Sequence, residues 1–474
     1  MAVSATPAAT GHRPTAVSNP IGASDVDGRF ARLRTTDLIN LAVEAPDTPV
    51  NVGALAVLDG RDLYGADGKL RLSQIRGEIE RRLAGVPQLR RVLHRPGPLA
   101  GRPLWTDDPQ FRVDRHVDEV EAPPPGDEQS LLRLTARLTT ALLDRRHPLW
   151  RVWLVTGLPA GRVAVVVVLH HVVADGLAAI HMITSLLSSP GVPAGQAQPA
   201  VATVPRWGVL VADNARTRLA AVVRAAHALR PRRLVASARV GRHVLARTTR
   251  APRTSLNAPI GPRRRLAVVR LDLATAKRVA HRHGGTVNDL VLDLAAGGLR
   301  ALLRARAEPV DGMRLNTTIA VSLRPAGAPA EAGNRTGAMV VRLPLGEPDP
   351  AARLSLVAGE TTLAKRDQLF GASNALLAGL ARLGLARWFS RRQHWTNLVE
   401  SNVAGPEAPI RMLGAPVLDL VPIGCLIGNM AVSFLALSYA GQLTITVQVD
   451  ADRFPDLPVL MSAMWQDWTT LAAG

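Results

Sequence analysis

Val163-Ala164-Val165-Val166-Val167-Val168-Leu169-His170-His171-Val172-Val173-Ala174-Asp175-Gly176 is the stretch that decides how this chain is read. The apolar run Val163 to Leu169 reads as a buried strand, so two histidines stand at its end. A strand end can aim a side chain into a cleft from rigid backbone rather than from a mobile loop. Imidazole has an unperturbed pKa of about 6.5, so it is largely neutral near pH 7 and can accept a proton. Adjacent strand residues face opposite sides, so one imidazole does chemistry while the other packs or hydrogen-bonds. Asp175 is placed to hold an imidazole or to pair with an Arg that fixes the turn. Gly176 allows a tight bend or a close approach of backbone and substrate. No Ser or Cys stands in a comparable setting, so a base acting directly on a substrate hydroxyl is the simpler mechanism.

The HHxxxDG arrangement resembles the active-site motif of the CoA-dependent acyltransferase superfamily. The flanking residues make the chain most similar to its bacterial wax ester synthase/diacylglycerol acyltransferase branch. Upstream, Leu143-Asp144-Arg145-Arg146-His147-Pro148-Leu149-Trp150 looks like that family's LDxxxPLW element. Downstream, Asn257-Ala258-Pro259-Ile260-Gly261 looks like its N-x-P-x-G segment, and Thr286-Val287-Asn288-Asp289 resembles TVND. Val321-Ser322-Leu323-Arg324 with Gly333-Asn334 looks like VSLR…GN, Ser401-Asn402-Val403-Ala404-Gly405-Pro406 like SNVPGP, and Ser438-Tyr439-Ala440-Gly441 like the late S-Y-x-G strand. These matches keep the family's order from about Leu33 to the C-terminus.

The resemblance implies an α/β (α+β) fold of two chloramphenicol-acetyltransferase-like domains, with the active-site channel at their interface. It implies an O-acyltransferase that uses acyl-CoA as cosubstrate, with no resident cofactor and no metal. His171 is then the base that takes a proton from the acceptor hydroxyl, His170 supports it, and Asp175 and Gly176 shape the loop. Asn288 is the candidate oxyanion donor, and its other reading is an N-cap before an Ala/Leu-rich helix. Asp289, Arg324, Ser401 and Asn402 are expected near substrate, with Arg324 a candidate partner for Asp175. The acceptor implied is diacylglycerol or a long-chain alcohol. Another lipid or polyketide alcohol, or a non-catalytic lipid binder of the same fold, stands as the alternative. Three departures bear on the acceptor. Thr48-Pro49-Val50-Asn51-Val52-Gly53 stands where the family has a TPMHVG-like string, Ala404 replaces a proline, and Ser433 stands where Asn is frequent.

At 474 residues and 47% hydrophobic composition, the chain exceeds one ordinary core, while aromatics are only 3%. Aliphatic side chains must therefore fill the interior, which also suits acyl chains. Cys425 is the only cysteine, which excludes an intramolecular disulfide and reads as a buried, inert thiol in a reducing compartment. The run Val421 to Leu437 is broken by Pro422, Gly424, Gly428, Asn429 and Ser433, so it reads as two buried strands joined by a Gly-Asn turn rather than a membrane span.

The formal charge is +19, and Arg206 to Arg253 carries twelve Arg against one acid, Asp213. Val211, Leu219, Val222 and Leu229 recur there at helical spacing. A solvated connector, an interfacial helix drawn to an anionic membrane or lipid-droplet surface, and a nucleic-acid binder compete for this segment. No motif supports specific nucleic-acid recognition. The resulting organisation is a disordered tail over residues 1–30, an N-terminal acyltransferase domain over 31–188, a linker and Arg-rich crossover over 189–254, and a C-terminal domain over 255–474. A cytoplasmic enzyme, peripheral at the membrane or on lipid inclusions, is the expectation.

Overall fold

The computed structural model describes residues 30–188, 204–228, 250–322, 336–367, 379–381 and 383–474. The expected tail, the Pro/Ala linker, the Arg-rich block beyond residue 228 and Arg324 lie outside the described residues. The first half runs α1 (Thr35–Val43), β1 (Asn51–Asp59), α2 (Leu72–Arg82), β2 (Arg91–His94), β3 (Leu104–Asp107), β4 (Val117–Glu121), α3 (Glu128–Thr139), β5 (Trp150–Thr156), β6 (Arg162–His170), α4 (Gly176–Leu187) and α5 (Trp207–Ala228). The second half runs β7 (Arg264–Asp272), α6 (Leu273–Arg282), α7 (Val287–Ala305), β8 (Arg314–Ser322), β9 (Thr336–Pro344), α8 (Pro350–Asp367), α9 (Ala386–Ser390), β10 (Leu398–Ala404), β11 (Arg411–Met412), β12 (Ala415–Ile423), β13 (Val432–Tyr439), β14 (Gln442–Asp450) and α10 (Leu457–Ala473).

Two six-stranded sheets carry the fold, in the orders β11-β12-β1-β6-β5-β4 and β7-β14-β13-β10-β8-β9. β6 lies inside the first sheet and is covered on both faces, which is why its sequence is apolar without alternation. Val163, Val165, Val167 and Leu169 join the core with α2 and α4, while Ala164, Val166 and Val168 meet Leu131, Leu132 and Leu134 of α3. β1 pairs antiparallel with β6 from Asn51↔His170 to Asp59↔Arg162. A Cβ on Gly53 would stand 1.9 Å from the Val167 carbonyl oxygen, so only glycine fits that crossing. α3 starts earlier than its apolar run suggests, because Asp127 accepts a bond from Ser130 N at 2.7 Å and caps it.

The second sheet buries Leu398, Phe434 and Ile319 against α7, whose residues Leu290 to Leu303 are almost wholly buried. Arg353 of α8 lies in this layer, 2.7 Å from Asp293 of α7 and 2.6 Å from Asp467 of α10. Its opposite face carries Leu266 and Val268, which pack with Leu55, Val421 and Ile423 of the first sheet.

The two buried strands expected on either side of the Gly428-Asn429 turn are present, and they join different sheets. β12 pairs with β1 in the first sheet, from Gly53↔Ile423 to Leu58↔Val417, whereas β13 pairs with β10 and β14 in the second. A division at residue 255 is therefore crossed, since β11 and β12 complete the edge of the first sheet. Buried apolar strands look alike in sequence whichever sheet takes them. Arg270 secures the crossing through Asp419 at 2.7 Å and an ion pair to Glu128.

The apolar positions spaced along the Arg-rich helix are only partly covered. Leu210 of α5 is buried with Ala100 and Leu104, and Arg32 pairs with Asp213 at 2.8 Å, but Leu219 is 67% exposed and Val222 is exposed too. Among the described residues, no helix is long and apolar enough to cross a membrane.

Candidate active site

His170 is the last residue of β6, and the chain turns immediately after it. The two imidazoles separate there. His170 is 1% exposed, and its Nδ1 accepts the Val172 backbone N–H at 2.9 Å. Its proton therefore sits on Nε2, which lies 3.0 Å from Glu44 Oε1. Arg145 holds the other Glu44 oxygen at 2.5 Å. Burial alone would push the Glu44 carboxyl up, but contacts with His170 and Arg145 prevail and hold it down at about 2. Glu44 is thus an anion locked between a histidine and a guanidinium.

His171 is half-buried, and its backbone N–H donates to Val50 O at 2.8 Å, which pins the turn to the start of β1. Asn40 of α1 approaches the ring, with Nδ2 3.4 Å from His171 Nδ1 and 3.3 Å from the His171 carbonyl oxygen. Asp175, 1% exposed, is the N-cap of α4 and accepts from Ala178 N at 3.1 Å. A Cβ on Gly176 would meet Val403 Cγ2 at 3.1 Å and lie 3.7 Å from Ser401 Oγ. The HHxxxDG loop and the SNVAGP strand therefore touch, although 225 positions in sequence separate Gly176 from Ser401.

β10 splits the remaining candidates. Ser401 lies on the face that meets α4, whereas Asn402 alternates to the other side, in register with Ala436 of the α7-facing core. The N-cap reading of Asn288 is overturned, because Thr286 is the cap and Asp289 closes a capping box with it. Asn288 is the half-buried second residue of α7, outside that cap. Asp289, expected near substrate, has both carboxylate oxygens engaged within the fold. One carboxylate oxygen accepts Thr286 N at 2.7 Å and Thr286 Oγ1 at 2.8 Å, and the other accepts Thr361 Oγ1 at 2.7 Å. Beside it, Glu400 is wholly buried with neither carboxyl oxygen hydrogen-bonded, and burial plus the Asp289 charge push it up to about 8.

Sequence reasoning missed Asn40, Glu44 and Arg145. Asn40 and Glu44 are four residues apart, the spacing that puts two side chains on one helix face. Arg145 was in view inside the LDxxxPLW element but sits at one of its variable positions. Asn51, which stands within the altered TPMHVG-like string, donates to Thr139 O at 3.0 Å and Ala141 O at 2.8 Å. Desolvation pushes the Cys425 thiol up to about 12, in keeping with an inert side chain. Among the described residues, no cluster of three or more His, Cys, Asp or Glu could hold a metal ion.

The sequence matches two family domains: residues 33–291 the wax ester synthase/diacylglycerol acyltransferase catalytic domain, and residues 332–471 the WS/DGAT C-terminal domain. A probable diacylglycerol O-acyltransferase of Mycobacterium tuberculosis is 31% identical over 440 residues, covering 90% of this chain and 92% of that protein. In structure, the wax ester synthase/diacylglycerol acyltransferase of Marinobacter aquaeolei matches with a TM-score of 0.66 at 22% identity, over 94% of this chain and 99% of the other. The starter condensation domain of rhizomide synthetase, solved with C8-CoA, shares the fold with a TM-score of 0.58 at 14% identity, over 94% of each chain.

Proposed function

We propose that this chain, which belongs to the wax ester synthase/diacylglycerol acyltransferase family and is an O-acyltransferase, moves a long-chain fatty acyl group from acyl-CoA to diacylglycerol, to a long-chain alcohol, or to both. His171 takes the proton from the acceptor hydroxyl as that oxygen attacks the thioester carbon. The new C–O bond forms, the carbonyl becomes an oxyanion, and collapse breaks the C–S bond. The proton then passes from His171 to the leaving sulfur, and CoA departs as a thiol. Asn288 donates to the oxyanion. No covalent acyl-enzyme is needed.

The observation that carries this reading is the sorting of the two histidines. His170 is committed to Glu44 and the Val172 amide, while His171 is half-buried at the turn beside Asn40. A base needs access to its proton donor and a steadied ring, and the partial exposure of His171 with Asn40 at 3.4 Å from Nδ1 supports that role. Gly176, packed on Ser401 and Val403, lets the second half of the chain close on the same loop. Both acceptors are lipids, so the enzyme works peripherally, on an anionic membrane or lipid-inclusion surface that attracts its excess of Arg.

The test is CoA release from palmitoyl-CoA with diolein or hexadecanol, for wild type and Asn288→Ala. Acceptor-dependent release should fall by about 10²–10³-fold in kcat for the variant, with little change in stability because Asn288 is outside the cap. The preferred acceptor names the product. Turnover with neither would favour a different lipid or polyketide alcohol, in keeping with the altered Val50-Asn51 segment.

A further inference from the structure

We propose that the edge built around α9, from Leu383 to Trp395, is the face that settles on an anionic phospholipid surface and admits the lipid acceptor beside α1. The inference rests on the lipid-acceptor reading above and adds the place of docking. Leu383 is 72% exposed and Trp388 is 58% exposed, and Leu385 and Trp395 are exposed as well. Large apolar side chains gathered on one edge mark an interaction site more than singly scattered ones do.

The edge is rigid. Ala386 packs with Val43 and Val50, with Ile39, Ala42, Leu380 and Ala381 around them. Arg391 pairs with Asp47, and Gln393 Nε2 donates to Asn429 Oδ1 at 2.7 Å while Asn429 Nδ2 returns a bond to Gln393 O at 2.9 Å. Phe389 stacks on Trp395 with ring centroids 4.9 Å apart. The apolar side chains are therefore presented by fixed backbone.

Charge selects the occupant. No acid occurs between Asp367 and Glu400, and although Asp47 offsets Arg391, Arg387 and Arg392 lie on the edge as further cations. Arg387 and Arg392 are exposed, and the Arg392 guanidinium lies 5.3 Å over the Trp388 ring. Tryptophan with flanking arginine suits the headgroup layer, where an apolar body and a charged tip are both satisfied. A second copy of this chain would bring like charges together. Position fits as well. Ile39 and Ala42 of α1 touch the α9 cluster while Asn40, between them, contacts His171. The α9 edge and His171 therefore share α1 as their common neighbour.

The experiment is flotation of the full chain with vesicles of phosphatidylcholine, with or without phosphatidylglycerol, for wild type, Leu385→Ser/Trp388→Ser and Arg387→Gln/Arg392→Gln. Wild type should float with anionic vesicles, and the apolar double variant should bind them about tenfold or more weakly at unchanged thermal stability. The arginine variant should lose the preference for phosphatidylglycerol. CoA release with vesicle-borne diolein should fall in parallel, while release with detergent-dispersed diolein stays at the wild-type level. Undiminished flotation of the double variant, or no flotation of wild type, would overturn the proposal. So would a wild-type dimer that the variant converts to a monomer without affecting flotation. Flotation is read without turnover, so a wrong acceptor assignment and a wrong docking face give different results.

Discussion

Two buried carboxylates, one in each half of the molecule, stand beside the family's motifs in opposite states. Glu44 is clamped between His170 and Arg145 and held at about 2, so it is an anion at every ordinary pH. Glu400, next to Ser401, has no hydrogen-bond partner on either oxygen among the described residues and is pushed up to about 8, so near neutrality it is largely a neutral acid. Desolvation acts on both, more strongly on the fully buried Glu400, and only Glu44 has partners that outweigh it. The first half spends its polar groups on fixing a histidine. In the second half a carboxyl sits inside the layer between β10 and α7 without one.

Glu44→Gln breaks the comparison hardest. Removing the carboxylate leaves the His170 Nε2–H and the Arg145 guanidinium without their shared acceptor, so unfolding in urea should show a loss of about 3 kcal/mol. Because the Glu44 pKa is depressed, its stabilisation is present above the ordinary carboxylate range and drains as pH falls toward about 2. The variant should therefore lose less stability than wild type on acidification through that range.

Glu400→Gln should act in the opposite direction. A raised pKa means that wild type loses stability as pH climbs from the ordinary carboxylate range to about 8, because the carboxyl ionises in the unfolded chain while it stays protonated in the folded one. The glutamine variant lacks that loss. Its stability should match wild type near pH 5 and exceed it at pH 9, by an amount on the order of a few kcal/mol. Equal pH dependence in the two proteins would show that Glu400 finds a partner in solution.

The smallest effect sharpens the placement of Asn288. Thr286→Ala removes the N-cap of α7 and should cost about 1 kcal/mol of stability, read as a shift of the urea midpoint. Asn288→Ala should leave that midpoint in place while lowering turnover. If both substitutions shifted the midpoint equally, Asn288 would belong to the cap after all.

Much of this was legible in the sequence. The apolar run Val163 to Leu169 located β6 to within one residue at each end, because it is long and stops at a turn. What pairs with what was not legible. Val421 and Val432 both read as buried strand, yet they join different sheets, since a residue buried on two faces carries no mark of its neighbour. The site divides in the same way. His170, His171, Asp175 and Gly176 are local in sequence and were visible, whereas the Glu44–His170–Arg145 clamp spans distant segments and required coordinates. The helix at Trp207–Ala228 shows the limit of periodicity. Leu219 and Val222 repeat at helical spacing but are exposed, because only the helix's first turns reach a core.

The most direct test of the central claim is acceptor-dependent CoA release by His171→Ala, with thermal unfolding measured on the same preparation. His171 is half-buried and its fold-fixing bond is made by its backbone, so the variant should unfold at nearly the wild-type temperature. Its turnover should fall by about 10²–10⁴-fold, the range for losing a positioned general base. A folded variant that retained wild-type turnover would contradict the account, and the proton acceptor would have to be sought elsewhere.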